Sequence, residues 1–421
     1  MRKFALPLLL GGLLAAGLQP ATAATTPAKV GLVSFVAASY SRTHDTAGFT
    51  LDWDKSSGAK SYEVFMSRSY SMSSAKKYRA SISEITIKGL TPDRDYFFQV
   101  RGVNGKKTGS KSSRVGHRTT AQPGPKGELM PLRVMTFNVC SDVCDEIPSG
   151  KTKPPTPYPW KPVEGSSRAP RQPAAFERIA AASPDVLATQ EAGYLDTPPG
   201  YTLARSMSAK RLFFKTDRFE LVPGTTTKAP ARDKNGCVAD TSYTDPTGHI
   251  FLGRHSKGCR YAVWAKLTEI ETGRTVLAVD VHLVTGTSSG AVANRQVEVS
   301  KLVASVAKIN TTRLPVVYAG DFNSHKGRSS DVVGATMRSA GFLDGYDLAR
   351  SLFRQHNSSY QGFHTTPTIS VKWGDHVDHV YVDPRRSRVD QWLNAVNIVD
   401  GRVVKPQASD HSPVIVDVAV R

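Results

Sequence analysis

The sequence predicts a small all-β domain followed by a larger α/β domain. Three observations carry this reading. Residues 28–120 break into short strand-like runs separated by turn signals. The stretch AQPGPKGELMP, Ala121 to Pro131, is dense in proline and glycine and reads as a linker. Beyond Pro131, longer apolar runs alternate with helical patterns, and the runs end in polar residues.

The chain opens MRKFALPLLLGGLLAAGLQPATAA. Arg2 and Lys3 precede a short apolar stretch from Phe4 to Leu18, and Ala21-Thr22-Ala23 has the small-x-small form of a cleavage site. Residues 1–23 are therefore expected to be an export signal, giving a secreted, extracellular protein that starts near Ala24. The apolar run is broken by Pro7, Gly11 and Gly12 and is short for a membrane span. Export permits disulfides. Cys140, Cys144, Cys237 and Cys259 allow three pairings and contain no CxxC pair, which argues against a zinc site. The local pairing, Cys140–Cys144 and Cys237–Cys259, is expected.

Within 28–120 the runs FTLDW, SYEVFMS, EITIKGL and DYFFQVRGV are spaced as in a β-sandwich. Trp53, Tyr62 and the stretch Leu90-Thr91-Pro92-Asp93-Arg94-Asp95-Tyr96 resemble a fibronectin type III module, the last stretch resembling its tyrosine corner. Such modules serve as spacers or adhesion units. Basic residues outnumber acids here by roughly two to one, which also admits polymer binding.

The second domain, 132–421, opens with the strand LRVMTFNVC, carrying Asn138. A proline-rich loop with Tyr158 and Trp160 runs from Ile147 to Pro170. PAAFERIAAAS reads as a helix with Pro173 in its first turn and Phe176, Ile179 and Ala180 on one face. SPDVLATQEA reads as a strand ending at Gln190-Glu191. LFFKTDRFELV is expected to be a hairpin, followed by a polar loop up to Cys259. RYAVWAKLTEI and RTVLAVDVHLVTG give two strands, the second carrying Asp280 and His282. Val292, Val299, Leu302, Val303 and Val306 mark a helix. LPVVYAGDFNS then delivers Asp321 and Asn323 at a strand end, HVDHVYV carries Asp378 and His379, and SDHSPVIVDV carries Asp410 and His411.

Any one of these polar residues fits a cap or a turn. Taken together, Asn, Glu, His and Asp at successive strand ends point to a shared site. Oxygen donors such as Asn138 and Glu191 suit a hard divalent cation. Histidines beside acids suit proton transfer and charge stabilisation.

The ordered motifs TFN, QE, VHL, GDFN, VDHV and SDHSP resemble the endonuclease/exonuclease/phosphatase superfamily over 132–421. The resemblance implies a four-layered α/β sandwich of two packed, mainly antiparallel sheets. It implies hydrolysis of phosphate esters with Mg²⁺, for which Mn²⁺ or Ca²⁺ could substitute. Glu191 and Asn138 would hold the metal, with Asp410 near or behind it. His411 would be the general base, oriented by Asp378. His282 would stabilise phosphoryl charge, Asn323 would bond a non-bridging oxygen, and Asp321 would position a water or assist the leaving oxygen. Arg260 stands where the nuclease branch has a DNA-contacting arginine and is a candidate substrate contact; Arg295-Gln296 resembles an Arg-Gln pair that recurs in exported bacterial members, which implies that it supports the site, with Arg295 also a candidate substrate contact. The nuclease branch pairs its first histidine with a carboxylate. Here that place falls near Lys210-Arg211, leaving Asp280 as the candidate partner of His282.

The chain carries a net charge of +19, which favours polyanionic partners. The expectation is a secreted, monomeric, metal-dependent phosphodiesterase cutting nucleic acid, with no protein partner. A phospholipase C-like enzyme acting on a membrane lipid such as sphingomyelin is the alternative, with Tyr158 and Trp160 as its membrane contact. A non-catalytic extracellular binding protein is the reading from another class.

Overall fold

A computed structural model describes residues 24–141, 144, 171–228, 230–255, 258–328, 330–404 and 407–421. The expected export segment and the Tyr158–Trp160 loop lie outside these residues.

The α/β domain is a four-layered sandwich. One sheet holds, in spatial order, strands Tyr201–Met207, Lys210–Lys215, Val186–Gln190, Met130–Asn138, Val414–Val420, Ser387–Asn394 and Ser351–Phe353. The other runs Phe219–Leu221, Gly258–Glu269, Thr275–His282, Val316–Asp321, Asp378–Val382, Leu343–Asp344, with Thr247–His255 also paired to Gly258–Glu269. Side chains alternate along a strand, so each strand serves two layers. Val134, Val186, Val416, Val263, Val317 and Val380 meet in the core between the sheets. Met135, Leu187 and Ile415 face outward onto the helix Gln172–Ala182. Leu277, Val279 and Tyr318 face the helix Ser289–Ile309 and Met337 of the helix Val332–Ser339. The central strands are buried on both faces, which is why they read as near-continuous apolar runs.

Two local expectations need correction. LFFKTDRFELV is not a hairpin: Lys210–Lys215 pairs within the first sheet, whereas Phe219–Leu221 pairs with Gly258–Glu269 in the second. The turn at Thr216–Arg218 carries the chain between sheets, and turn residues cannot reveal that choice. The polar stretch before Cys259 is also not all loop. Thr247–His255 pairs with Gly258–Glu269, its glycines and histidines masking a strand pattern. Disulfides join Cys140 to Cys144 and Cys237 to Cys259.

The fibronectin type III module pairs Val33–Ser41, Thr46–Trp53 and Glu84–Leu90 in one sheet. Ser61–Ser67, Lys76–Ala80, Asp95–Asn104, Lys107–Thr108 and Val115–Arg118 form the other. Trp53 meets Tyr62 edge-on in its core. The Tyr96 hydroxyl accepts from the Thr91 amide at 3.1 Å, closing the corner.

The module does not stand apart from the second domain. Ala37 pairs with Ser351, so the module's first sheet and the α/β domain's first sheet form one ten-stranded sheet. His117 stacks on Tyr346, with ring centroids 4.5 Å apart, and Phe97 meets Trp373 at 5.4 Å. Lys326 Nζ donates to Asp95 at 2.9 Å and Arg338 to Asp93 at 2.7 Å. The spacer role is therefore replaced by a docked one.

Candidate active site

Strand register assembles the site. His282 lies opposite Asp321 in a parallel pair, and Asp321 opposite Asp378 in an antiparallel pair. Three strands thus set a histidine and two carboxylates in one row. Gly320 makes this approach possible, because any Cβ there would lie 2.1 Å from the Val281 carbonyl oxygen. In the facing sheet Asn138 lies opposite Gln190, and Glu191 follows at the strand lip. Glu191 and Asn323 hold left-handed backbones, φ 55° and 49°. Side-chain residues rarely adopt this conformation, and where they do it is often at functional sites.

The chain's last turn before the final strand closes the site. Ser409 Oγ donates to the Asn138 carbonyl at 2.6 Å. His411 Nδ1 lies 2.8 Å from Asp378 Oδ2, and His411 Nε2 lies 3.9 Å from Asp321 Oδ2. Asp378 is itself held by Ser359 Oγ, which accepts from the Asp378 and Val377 amides. Burial alone would lower the His411 pKa, but Asp378, Asp410 and Asp321 outweigh it and raise it to about 10. His282 is opposite in character. Burial, then the nearby Arg260, Lys210 and His411 charges, hold it well below the usual imidazole value, so it is neutral. It faces Asp321 at 3.6 Å and Glu191 at 3.9 Å. Asp280 is not its partner. Asp280 accepts from Gln190 Nε2 at 2.7 Å, in a buried cluster with Lys210.

The site is rich in carboxylate. Asn138 Nδ2 donates to Asp321 Oδ2 at 3.0 Å and reaches Glu191 Oε1 at 3.4 Å, while Asn138 Oδ1 accepts from the Cys140 amide. Glu191 Oε2 accepts from the Ser141 amide. Burial and the Asp378 charge push Asp321 up to about 7, and burial also raises Asp410. Asp378 Oδ1 is buried without a hydrogen-bond partner. Buried carboxylates in this number, with one protonated imidazole among them, call for a cation. The donors are oxygens, as a hard divalent ion prefers. Glu191, Asp410 and the free lone pair of Asn138 would hold it. Arg171, fully buried, fastens this lip by donating to the Val139, Cys140, Ser141 and Ala408 carbonyls.

The cleft, about 1090 Å³, is lined by Glu191, His282, Asp321, Asn323, Asp410, His411 and Arg260. Asp378 and Asn138 support it from behind. Arg295 is not a substrate contact. It is 0% exposed, and its Nη1 donates to the Val284 and Gly286 carbonyls, bracing the turn after His282. The cleft also takes residues the sequence reading did not single out: Tyr360, His364, His325 and Arg328. Tyr360, 50% exposed, meets His411 edge-on at 5.2 Å. Arg328 Nη1 donates to the Asn323 carbonyl at 2.6 Å. His325 and Arg328 follow GDFN directly and were within reach of the sequence; nothing near Tyr360 announces it.

A family model described as the Endonuclease/Exonuclease/phosphatase family matches residues 135–411, well over half of the chain. One for the Fibronectin type III domain matches residues 37–118. No curated protein matches the sequence. Among solved structures, an endonuclease/exonuclease/phosphatase family protein from Bacteroides thetaiotaomicron is similar at 17% identity, covering 70% of this chain and 99% of its own, with TM-score 0.47. A mannosyl-6-phosphatase from Bacteroides thetaiotaomicron VPI-5482 is similar at 17% identity, covering 68% and 99%, with TM-score 0.45. D. rerio TDP2 complexed with single strand DNA product is similar at 13% identity, covering 68% and 98%, with TM-score 0.41.

Proposed function

This chain belongs to the endonuclease/exonuclease/phosphatase family of phosphoric ester hydrolases, and on that premise we propose that it is an exported, Mg²⁺-dependent phosphodiesterase that cuts nucleic acid. The observation that carries the chemistry is the Asp378–His411 pair facing Asp321 across the cleft. Members of the family are generally divalent-metal dependent, and the carboxylate-rich lip supports that dependence here. A cation bound there would offset charge building on the phosphoryl oxygens.

The protein's own groups divide the remaining work. With a cation among the carboxylates lowering its pKa, His411, oriented through Nδ1 by Asp378, would present a deprotonated Nε2 to take the proton of an attacking water. Neutral His282 donates to a phosphoryl oxygen, and Asn323 adds a second donor on the same side. Asp321, near neutrality in its buried setting, handles a proton at the leaving oxygen. Arg260 and Arg328 meet the flanking anionic backbone. The net charge of +19 supports a nucleic-acid substrate, because phosphate neutralisation dominates its non-specific affinity. The N-terminal segment and the two disulfides support export.

The test offers plasmid DNA, RNA and sphingomyelin vesicles in parallel to the mature protein with Mg²⁺. Cutting of either nucleic acid with intact lipid is the expected result. Lipid turnover with intact DNA and RNA would replace this reading with the phospholipase C-like one.

A further inference from the structure

The fibronectin type III module turns one sheet face toward the catalytic domain. Along Asp95–Asn104, residues two apart share a face, so Asp95, Phe97, Gln99 and Arg101 lie together while Tyr96, Phe98 and Val100 fill the core. One end of this face is covered. Asp95 takes Lys326, Phe97 takes Trp373, and Gly116 lies so close that an added Cβ would meet the Lys372 carbonyl at 3.1 Å. The segments that cover it, Lys326–Arg328 and Lys372–Asp375, are the ones that run into the cleft, where His325, Arg328 and Asp375 line the wall.

The other end of the same face is open and is built from cations and rings. Phe65 pairs with Gln99 and with Lys77 across the two neighbouring strands. Lys111 Nζ stands 4.0 Å from the Phe65 ring centroid, and the Arg101 guanidinium 5.3 Å from it. Tyr70, 40% exposed, packs on Phe97 and takes Arg114 at 5.3 Å and Lys372 at 4.4 Å. Glu63 lies at this open end, where it is engaged by Lys77 and Arg101. Among the described residues, Arg79, Lys111, Arg114 and Lys372 make no ion pair. Their charge is directed outward.

We propose that this open end is a docking surface for a single nucleic-acid strand whose adjoining segment lies in the cleft. The inference rests on the nuclease reading and names how that site takes its substrate. Unpaired cations supply phosphate contacts, and rings flanked by cations supply stacking platforms. That combination fits single strands without base preference. A lipid surface would instead want exposed aliphatic groups, which this face lacks. Because the module is fixed to the catalytic domain by a shared sheet, the surface and the cleft keep a constant separation. Lys372 bridges them, contacting Tyr70 on one side and leading to Asp375 on the other.

The experiment uses the full chain carrying His411→Ala, so that a labelled oligothymidylate binds without being cut, with Mg²⁺ present. Binding is followed by anisotropy across salt concentration. Adding Lys111→Gln, Arg114→Gln and Lys372→Gln should weaken binding roughly tenfold or more and reduce the salt slope by about 2. Phe65→Leu, which keeps the apolar packing and loses the ring, should weaken it with no change in slope. In the active protein, the three Gln changes should leave turnover of bis(p-nitrophenyl) phosphate unchanged and raise KM for a long strand. Unchanged affinity and slope in the Gln variant would overturn the proposal. So would capture of phosphatidylserine vesicles through these residues with no binding of the strand. If the strand binds through this face but the wild-type protein cuts no nucleic acid, the nuclease reading fails while the docking surface stands.

Discussion

His411 Nδ1 lies 2.8 Å from Asp378 Oδ2, although the two residues come from different sheets. Asp378 begins a strand of the second sheet, and His411 sits in the turn before the final strand of the first. Ser359 joins the two segments: its hydroxyl receives the Asp378 amide and its carbonyl receives the Ser412 amide. The contact fixes which imidazole nitrogen faces the cleft.

Asp378→Asn should preserve the fold and lower kcat by about 10³- to 10⁴-fold, because an amide permits the wrong histidine tautomer. His411→Ala should cost a similar factor. The double variant should be little worse than either single one, since the two act as a unit. Steady-state kinetics on a small phosphodiester checks this, and additive losses would separate the residues' roles.

Without a divalent ion, His411 is protonated, raised to about 10 by the carboxylates around it. A positive charge among Glu191, Asp410 and Asp321 opposes that field and lowers the imidazole pKa. Titration of His411 by NMR should therefore show a fall of roughly two units when Mg²⁺ or Ca²⁺ is added. Glu191→Gln should abolish most of the fall and weaken metal binding.

The Asp95–Lys326 contact, 2.9 Å, ties the module to the loop that follows Asn323. Lys326→Met should lower kcat roughly ten- to a hundredfold by releasing that loop. Lys326→Arg should restore most of it. Because the sheet is continuous across the junction, urea should unfold module and catalytic domain in one transition. Two separated transitions would contradict the docked arrangement.

His379 supplies a pH test of stability. Its Nδ1 meets Asp344 at 2.7 Å and its Nε2 donates to the Ser324 carbonyl at 2.9 Å. Burial works against the charged form, but Asp344 outweighs it and raises the pKa to about 9. A raised folded pKa means stability is fully present below the unfolded value near 6.5 and is lost as pH rises through 9. The stability gap between wild type and His379→Gln should be on the order of 3 kcal/mol below pH 6.5 and shrink toward pH 9. Denaturant midpoints across this range check it; a gap that widens with pH contradicts the assignment.

Much of this was legible in the chain. The residues Glu191, His282, Asp321, Asp378 and His411 were readable because each flanks an apolar run, and the structure brings Glu191, His282, Asp321 and His411 to one cleft with Asp378 bonded behind it. The tyrosine corner was readable from LTPDRDY. What was not readable depends on contacts distant in sequence. Arg295, in its recurrent Arg-Gln pair, was a candidate substrate contact, yet it is buried and bonded to the Val284 and Gly286 carbonyls. Thr216–Arg218 gave a turn but not the change of sheet. The module's docking rests on Ala37 meeting Ser351 and on Asp95 meeting Lys326, pairings that no local pattern encodes.

The most direct test of the central claim is metal-dependent hydrolysis of a long nucleic-acid strand by the mature protein, His411→Ala and Glu191→Gln, each with Mg²⁺ and with chelator. The account predicts cutting by wild type with Mg²⁺ alone, and loss of about 10³-fold or more in His411→Ala. Cutting that persists undiminished in chelator, or in His411→Ala, would contradict it.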